Sequence, residues 1–262
     1  MKKIKKLLTI GLAVLLMLCM SVSLVGCAFQ STEEPAKQFG DFRYCYVSDL
    51  QSKRSVSKEK AVGINILSLV EEAREKETII IPESIDGLPV IAIGMSGIGW
   101  TQYLQGYYNK IYLPDSVLNI NDVSRSIHHR KVFLMDEYDS VDWDSRTTLL
   151  QNILLEFSDM QVFVAESLYQ DYQTLSNIKN SECISIANLS YVVDNEIYFI
   201  DDYRESKGSL ILEPPVPKKD GYIFEGWYLE REYINKWDFD NDLHIYDETQ
   251  KVTFLYAKWI KE

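Results

Sequence analysis

Ile79 to Ser84 reads IIIPES, and Ile111 to Ser116 reads IYLPDS. Both run three apolar residues, then Pro, an acid and Ser. A short apolar triplet of this kind reads as a short strand. The proline behind it has no N–H to give to a ladder, so it ends pairing and turns the backbone out of the sheet. Val132-Phe133-Leu134 and Val162-Phe163-Val164 continue the series, the four triplets beginning 32, 21 and 30 residues apart. A unit this small cannot bury its own apolar face. It must stack on its neighbours, as the rungs of a solenoid do.

Outward from these triplets, β-rich runs are expected at Phe42 to Val47, Ala61 to Leu69, Thr78 to Ile81, Val90 to Ile93, Lys110 to Leu113, Lys131 to Leu134 and Met160 to Val164. Helical patterns fall at Thr147 to Phe157 and Glu166 to Ile178, the second placing Leu168, Tyr172 and Leu175 on one face. Thr78 to Gly94 (TIIIPESIDGLPVIAIG) resembles the opening of a BspA-like leucine-rich repeat. Lys110 to Asp122 resembles the next repeat and Val162 to Tyr172 the closing one, with Ala165 where family members usually carry Pro. The likeness covers residues 60 to 180 and departs from the family in its spacing and in the insertion Asp136 to Arg146 (DEYDSVDWDSR). It implies a short, degenerate leucine-rich-repeat solenoid of three or four rungs over residues 41–186.

Residues 187–262 differ in character. Three of the five tryptophans lie there, among turn signals at Pro214-Pro215, Pro217 and Asp220-Gly221. Gly221-Tyr222-Ile223-Phe224-Glu225-Gly226-Trp227-Tyr228, then Trp237-Asp238-Phe239, then Leu255-Tyr256-Ala257-Lys258-Trp259 resembles the Listeria-Bacteroides repeat, also called the internalin B-type repeat. That resemblance implies a small β-grasp-like sheet on a secreted or surface protein of bacteria, with Tyr222, Phe224, Trp227, Tyr256 and Trp259 as core. The fold class expected for the whole is mainly β with short helices.

The N-terminus sets the location. Lys2, Lys3, Lys5 and Lys6 precede an apolar stretch from Leu7 to Val25, which closes on Leu24-Val25-Gly26-Cys27. This is the order of a signal peptide over residues 1–26, an uncleaved anchor being the alternative. The closing tetrad resembles the bacterial lipobox, which implies lipid attachment at Cys27 and a protein held outside the cytoplasmic membrane by its N-terminal lipid. Residues 27–40, with Pro35 and Gly40 among polar residues, read as a flexible spacer. Cys45 and Cys183 then remain for the body, as free thiols or as one disulfide.

Composition bounds the function. With 46% hydrophobic and 25% charged residues in 262, the chain can bury a core. Its net charge of −12 becomes more negative once the signal lysines leave, which excludes nucleic acid as a partner. No cofactor, metal site or catalytic constellation is expected. His128-His129 and His244 are the only histidines, and Gly94 to Gly99 has no phosphate-loop Lys. Asp238 to Asp242 begins like a calcium loop but has Leu243 where Gly is needed, and reads as an acidic turn. The acids Asp136, Glu137, Asp139, Asp142 and Asp144 read as a solvated loop. The candidate ligand-binding surface is aromatic: Trp100, Tyr103, Tyr107 and Tyr108, with Tyr112 beyond. The function expected is a non-catalytic cell-surface lipoprotein that binds an extracellular protein or glycan in adhesion. The rivals are an envelope structural protein acting by self-association and an envelope hydrolase.

Overall fold

The computed structural model describes residues 36–50, 55–94, 104, 106–120, 131–136, 141–156, 160–175, 183–204, 208–244, 249 and 251–262. All lie in one compact unit, Glu34–Glu262. The protein is mainly β, with a few short helices.

The repeated triplets come together in register. Thr78–Ile80 (β4), Lys110–Pro114 (β7), Lys131–Met135 (β9), Gln161–Val164 (β10) and Ile184–Ile186 (β11) form one five-stranded sheet in chain order, and every neighbouring pair is parallel. Ile79, Ile111, Val132, Val162 and Ile184 lie side by side. Parallel strands covered on both faces have no polar side to alternate with, which explains three apolar residues in succession. One face is aliphatic. The other carries Tyr112, Phe133 and Phe163, whose rings stack at 4.5 and 5.0 Å. The fifth strand has the weakest triplet, Ile-Ser-Ile, and sequence reading missed it.

A second sheet precedes and flanks this ladder. Lys37–Phe39 (β1), Phe42–Val47 (β2), Gly63–Leu69 (β3), Leu88–Ile93 (β6) and Ser84–Ile85 (β5) follow in that order, and Asn119–Ile120 (β8) pairs with β6. β1 corrects the expectation of a featureless spacer as far as residue 40: Lys37, Gln38 and Phe39 pair with Tyr44, Arg43 and Phe42. The run Ile85 to Val90 is a hairpin whose two loop residues, Asp86 and Gly87, take φ of 55° and 77°. Asp-Gly is the pairing that such a turn favours. Tyr44 and Tyr46 both donate to Asp86 Oδ2, at 2.6 and 2.7 Å, fixing the turn against β2.

Leu189–Val193 (β12), Glu196–Asp201 (β13), Tyr222–Tyr228 (β14) and Thr253–Lys261 (β15) form the third sheet, in the order β13, β12, β15, β14. Its central pair is parallel and its outer pairs antiparallel. Phe199 of β13 stacks on Tyr112 at 4.6 Å and meets Tyr191 edge-on, so this sheet closes the aromatic face of the ladder. One hydrophobic core runs through both. The change in sequence character at residues 186 and 187 is thus a change of sheet within a single core.

Trp227 is 1% exposed, as a core residue should be. Tyr222 and Tyr256 depart from expectation. Tyr222 is exposed near the end of β14, and Tyr256 pairs with Tyr228 while Ala257 pairs with Trp227. Alternation along β15 therefore sends Tyr256 to the face opposite Leu255, Ala257 and Trp259. On β14 an extra residue at Glu225 breaks alternation, which keeps Phe224 and Trp227 on one side with rings 5.3 Å apart.

Candidate functional site

The expected aromatic surface does not assemble. Trp100 and Tyr103 lie outside the described residues. Tyr107 is 76% exposed, but Tyr108 is fully buried and its hydroxyl donates to Leu104 O at 3.0 Å. Tyr112 belongs to the stacked ladder. Tyr108 and Tyr112 are core, which leaves Tyr107 as an isolated exposed ring. Cys27, His128 and His129 also fall outside the described residues. Cys45 and Cys183 are not joined in a disulfide.

Two acidic segments are resolved as structure. In the turn at Asp238, its carboxylate accepts from Asp240 N at 2.9 Å and Asn241 Nδ2 at 2.9 Å, so these oxygens close their own turn. Among the described residues no three acids, histidines or cysteines gather as a metal set. Asp142 caps the helix Trp143–Glu156, accepting from Asp144 N at 3.2 Å and Ser145 N at 3.3 Å, which is why that helix starts ahead of Thr147.

Asp136 overturns the solvated-loop reading. It is buried, its Oδ1 lies 2.5 Å from Arg146 Nη2, and Tyr172 donates to Oδ2. Arg146 is buried too and also reaches Val117 O at 2.8 Å and Pro114 O at 3.3 Å. Burial pushes the Asp136 carboxyl up while the Arg146 guanidinium pulls it down, and burial dominates. The group ties the end of β9 to the helix Trp143–Glu156, to the short helix Tyr169–Thr174 and to the turn after β7. Sequence spacing could not show this, because the partners come from four separate segments.

A second charged group joins the ladder to the third sheet. Lys110 and Lys131, neighbours in register, meet Asp201 at 2.7 Å and Asp202 at 3.1 Å. Arg204 Nε also reaches Asp202, at 2.6 Å. Lys110 lies 4.2 Å from the centre of the Tyr203 ring. A cleft of about 600 Å³ opens beside them, lined in part by Glu77, Asn109, Tyr203 and Leu210. Its cations are already matched by carboxylates, so the arrangement is a joint.

A smaller cleft of about 340 Å³ lies where the last turns of the ladder meet the hairpin of β12 and β13. Glu166 and Ser167 come from the turn behind β10, and Asn195 and Glu196 from the hairpin. Asp194 and Asn195 take φ of 51° and 74°, so the loop is a tight two-residue turn that presents Asn195 and Glu196 at the rim. Ile197 and Phe254 supply the apolar wall. Asp136 and Ser190 complete the lining. Ser190 is 1% exposed, and its Oγ has no hydrogen-bond partner. Among the described residues no Lys or Arg lines this cleft. Sequence reasoning missed it, since none of these residues forms a motif.

Residues 189–258 match the Listeria-Bacteroides repeat domain, a stretch that spans the third sheet as far as Lys258. Two proteins of Evansella cellulosilytica share part of the chain. One, named as a Gly-rich membrane protein, is 45% identical over 51 residues, 20% of this chain and 5% of its own length. The other, named as a membrane protein, is 35% identical over 60 residues, 23% of this chain and 8% of its own. The chain thus matches only a small part of each relative.

Proposed function

We propose that the protein is a non-catalytic bacterial lipoprotein, anchored through lipid on Cys27, that presents a binding body at the cell surface for a protein or glycan ligand. The observation that carries this reading is the succession along the chain. A lipobox-like tetrad, Leu24 to Cys27, is followed by one body in which the repeated strands and the family-matched sheet share a core. Under this reading the parallel ladder is a degenerate leucine-rich-repeat coil. Its strands stand in chain order with the aligned triplets in register. The third sheet is β-grasp-like, with a parallel central pair flanked on each side by an antiparallel strand. The relatives' names as membrane proteins agree with an envelope location.

A second reading, self-association at the envelope, draws on one feature. Ile223 and Ile260 pair across β14 and β15 and are both about half exposed. Two measurements test the proposal. Labelled palmitate should enter the wild-type chain and not Cys27→Ala, and the variant should leave the membrane fraction. The purified chain should bind matrix proteins, mucin or cell-wall glycans. Self-association without any of these ligands would replace adhesion by the structural reading.

A further inference from the structure

We propose that the cleft between the Glu166 turn and the β12–β13 hairpin is a saccharide site, selective for a ring carrying a free amino group. The proposal rests on the reading of the protein as a non-catalytic binder and names the ligand class that binder takes.

The argument begins with Ser190. A hydroxyl removed from water without a partner is costly, and native proteins seldom leave one so unless something else supplies the bond. Ser190 lies in the middle of the third sheet, paired in register with Ile200 and Phe254. Its backbone role would be served equally by Ala. Ser190 is among the residues that line the cleft, its Oγ is buried and unpartnered, and a hydroxyl can donate to or accept from a ligand hydroxyl once a side-chain rotation brings it to the cleft.

The remaining lining sorts by chemistry. Phe254 and Ile197 offer an apolar surface, which suits the C–H face of a pyranose ring. Ser167 and Asn195 add groups that can both donate and accept. Glu166 and Glu196 are acceptor-only carboxylates, both exposed at the rim, and among the described residues no basic side chain lines the cleft to match them. Asp136 is already held by Arg146 from behind. The unmatched charge is therefore negative. It favours an ammonium on the ligand and disfavours a uronic or sialic acid. The volume sits at the small end of ligand pockets, which run from roughly 300 to 1,000 Å³, and suits one ring. A simple diamine would satisfy the carboxylates but would leave Ser190 unpaired.

The test is saturation-transfer NMR on the full-length protein in detergent, with D-glucosamine, D-glucose, D-glucuronate and 1,5-diaminopentane as separate probes. Glucosamine should bind best, glucose about tenfold more weakly for want of the charged contact, and glucuronate should give no transfer. Ser190→Ala should weaken glucosamine about fivefold, the effect of one neutral hydrogen bond. Glu196→Gln, an exposed change that folding tolerates, should bring glucosamine down toward glucose. Diaminopentane binding as well as glucosamine overturns the saccharide assignment. So does glucosamine binding that is unchanged in both variants, or no transfer from glucosamine at all. Ligand capture from mucin or cell wall that survives Glu196→Gln would sink the cleft and leave the binder reading standing. Slow hydrolysis of a glucosamine oligomer, added as a fifth probe, would do the reverse, keeping the cleft and ending the non-catalytic reading.

Discussion

The parallel ladder and the third sheet bury their surfaces by different means. Each ladder strand is only three to five residues long and contributes aliphatic side chains to one side, and the three middle strands each place a single ring on the other. Its stability is therefore held between strands, not within one. The third sheet concentrates its burial in a few large rings, with Trp227 contacting Tyr191, Tyr198 and Phe224. A shortened rung would be felt as a stacking defect, whereas loss of one tryptophan empties the middle of the sheet. Yet Tyr112 and Phe199 stack across the boundary, so neither region is complete alone.

The sharpest way to break this comparison is Trp227→Ala. A fully buried large aromatic truncated to Ala costs about 3–5 kcal/mol. Because the core is shared, thermal unfolding followed by far-ultraviolet circular dichroism and by tryptophan fluorescence should remain a single transition at a lower temperature. A separate, unshifted transition for the ladder would show that the two regions are independent.

Arg146→Met comes next. It leaves Asp136 buried without its cation, an effect that usually reaches 3–5 kcal/mol. The lower end, about 3 kcal/mol, is expected here, because Tyr172 still donates to the carboxylate and burial already favours its protonated form. Chemical denaturation should show the loss at pH 7 shrinking as the pH is lowered and Asp136 takes up a proton. A loss independent of pH would mean that Arg146 acts through its carbonyl contacts alone.

The ladder was far more legible in sequence than the cleft. Its triplets, proline corners and spacing are local signals, and the four aligned by sequence stand beside one another in register. The Asp136 group and the cleft are built from residues distant in the chain, and their chemistry exists only after the strands have stacked. The misplaced aromatics have a simpler cause. Tyr256 and Trp259 are three apart on one continuous strand and cannot share a face, whereas the extra residue at Glu225 lets Phe224 and Trp227 do so.

That bulge gives a smaller effect. Gly226 takes φ of 147°, and a Cβ there would lie 2.4 Å from Lys236 Cε. Lys236 Nζ is itself held by Glu225 O at 2.7 Å. Gly226→Ala should cost about 1–3 kcal/mol, from backbone strain plus displacement of Lys236. In a cycle with Lys236→Ala, the steric part should disappear and the backbone part remain. A complete rescue would show that Gly226 is needed for space and not for conformation.

The smallest effect tests the joint between the regions. His244 is buried, its ring 6.0 Å from that of Tyr203, with Nε2 3.2 Å from Thr253 Oγ1. Burial lowers its pKa, and the nearby Asp201 and Asp202 only partly offset this. A histidine whose folded pKa is depressed leaves the unfolded chain as the better proton acceptor once pH falls below about 6.5. Its contribution is therefore intact above that pH and is lost progressively below it. The melting temperature should stay level from pH 8 to 7 and decline between pH 6.5 and 5, above the ordinary carboxylate range, while Asp136, whose carboxyl is raised, acts with the opposite sign and opposes the decline. His244→Gln should flatten that decline. If the slope survives the substitution, the proton is taken up elsewhere, and the joint between ladder and sheet is insensitive to pH.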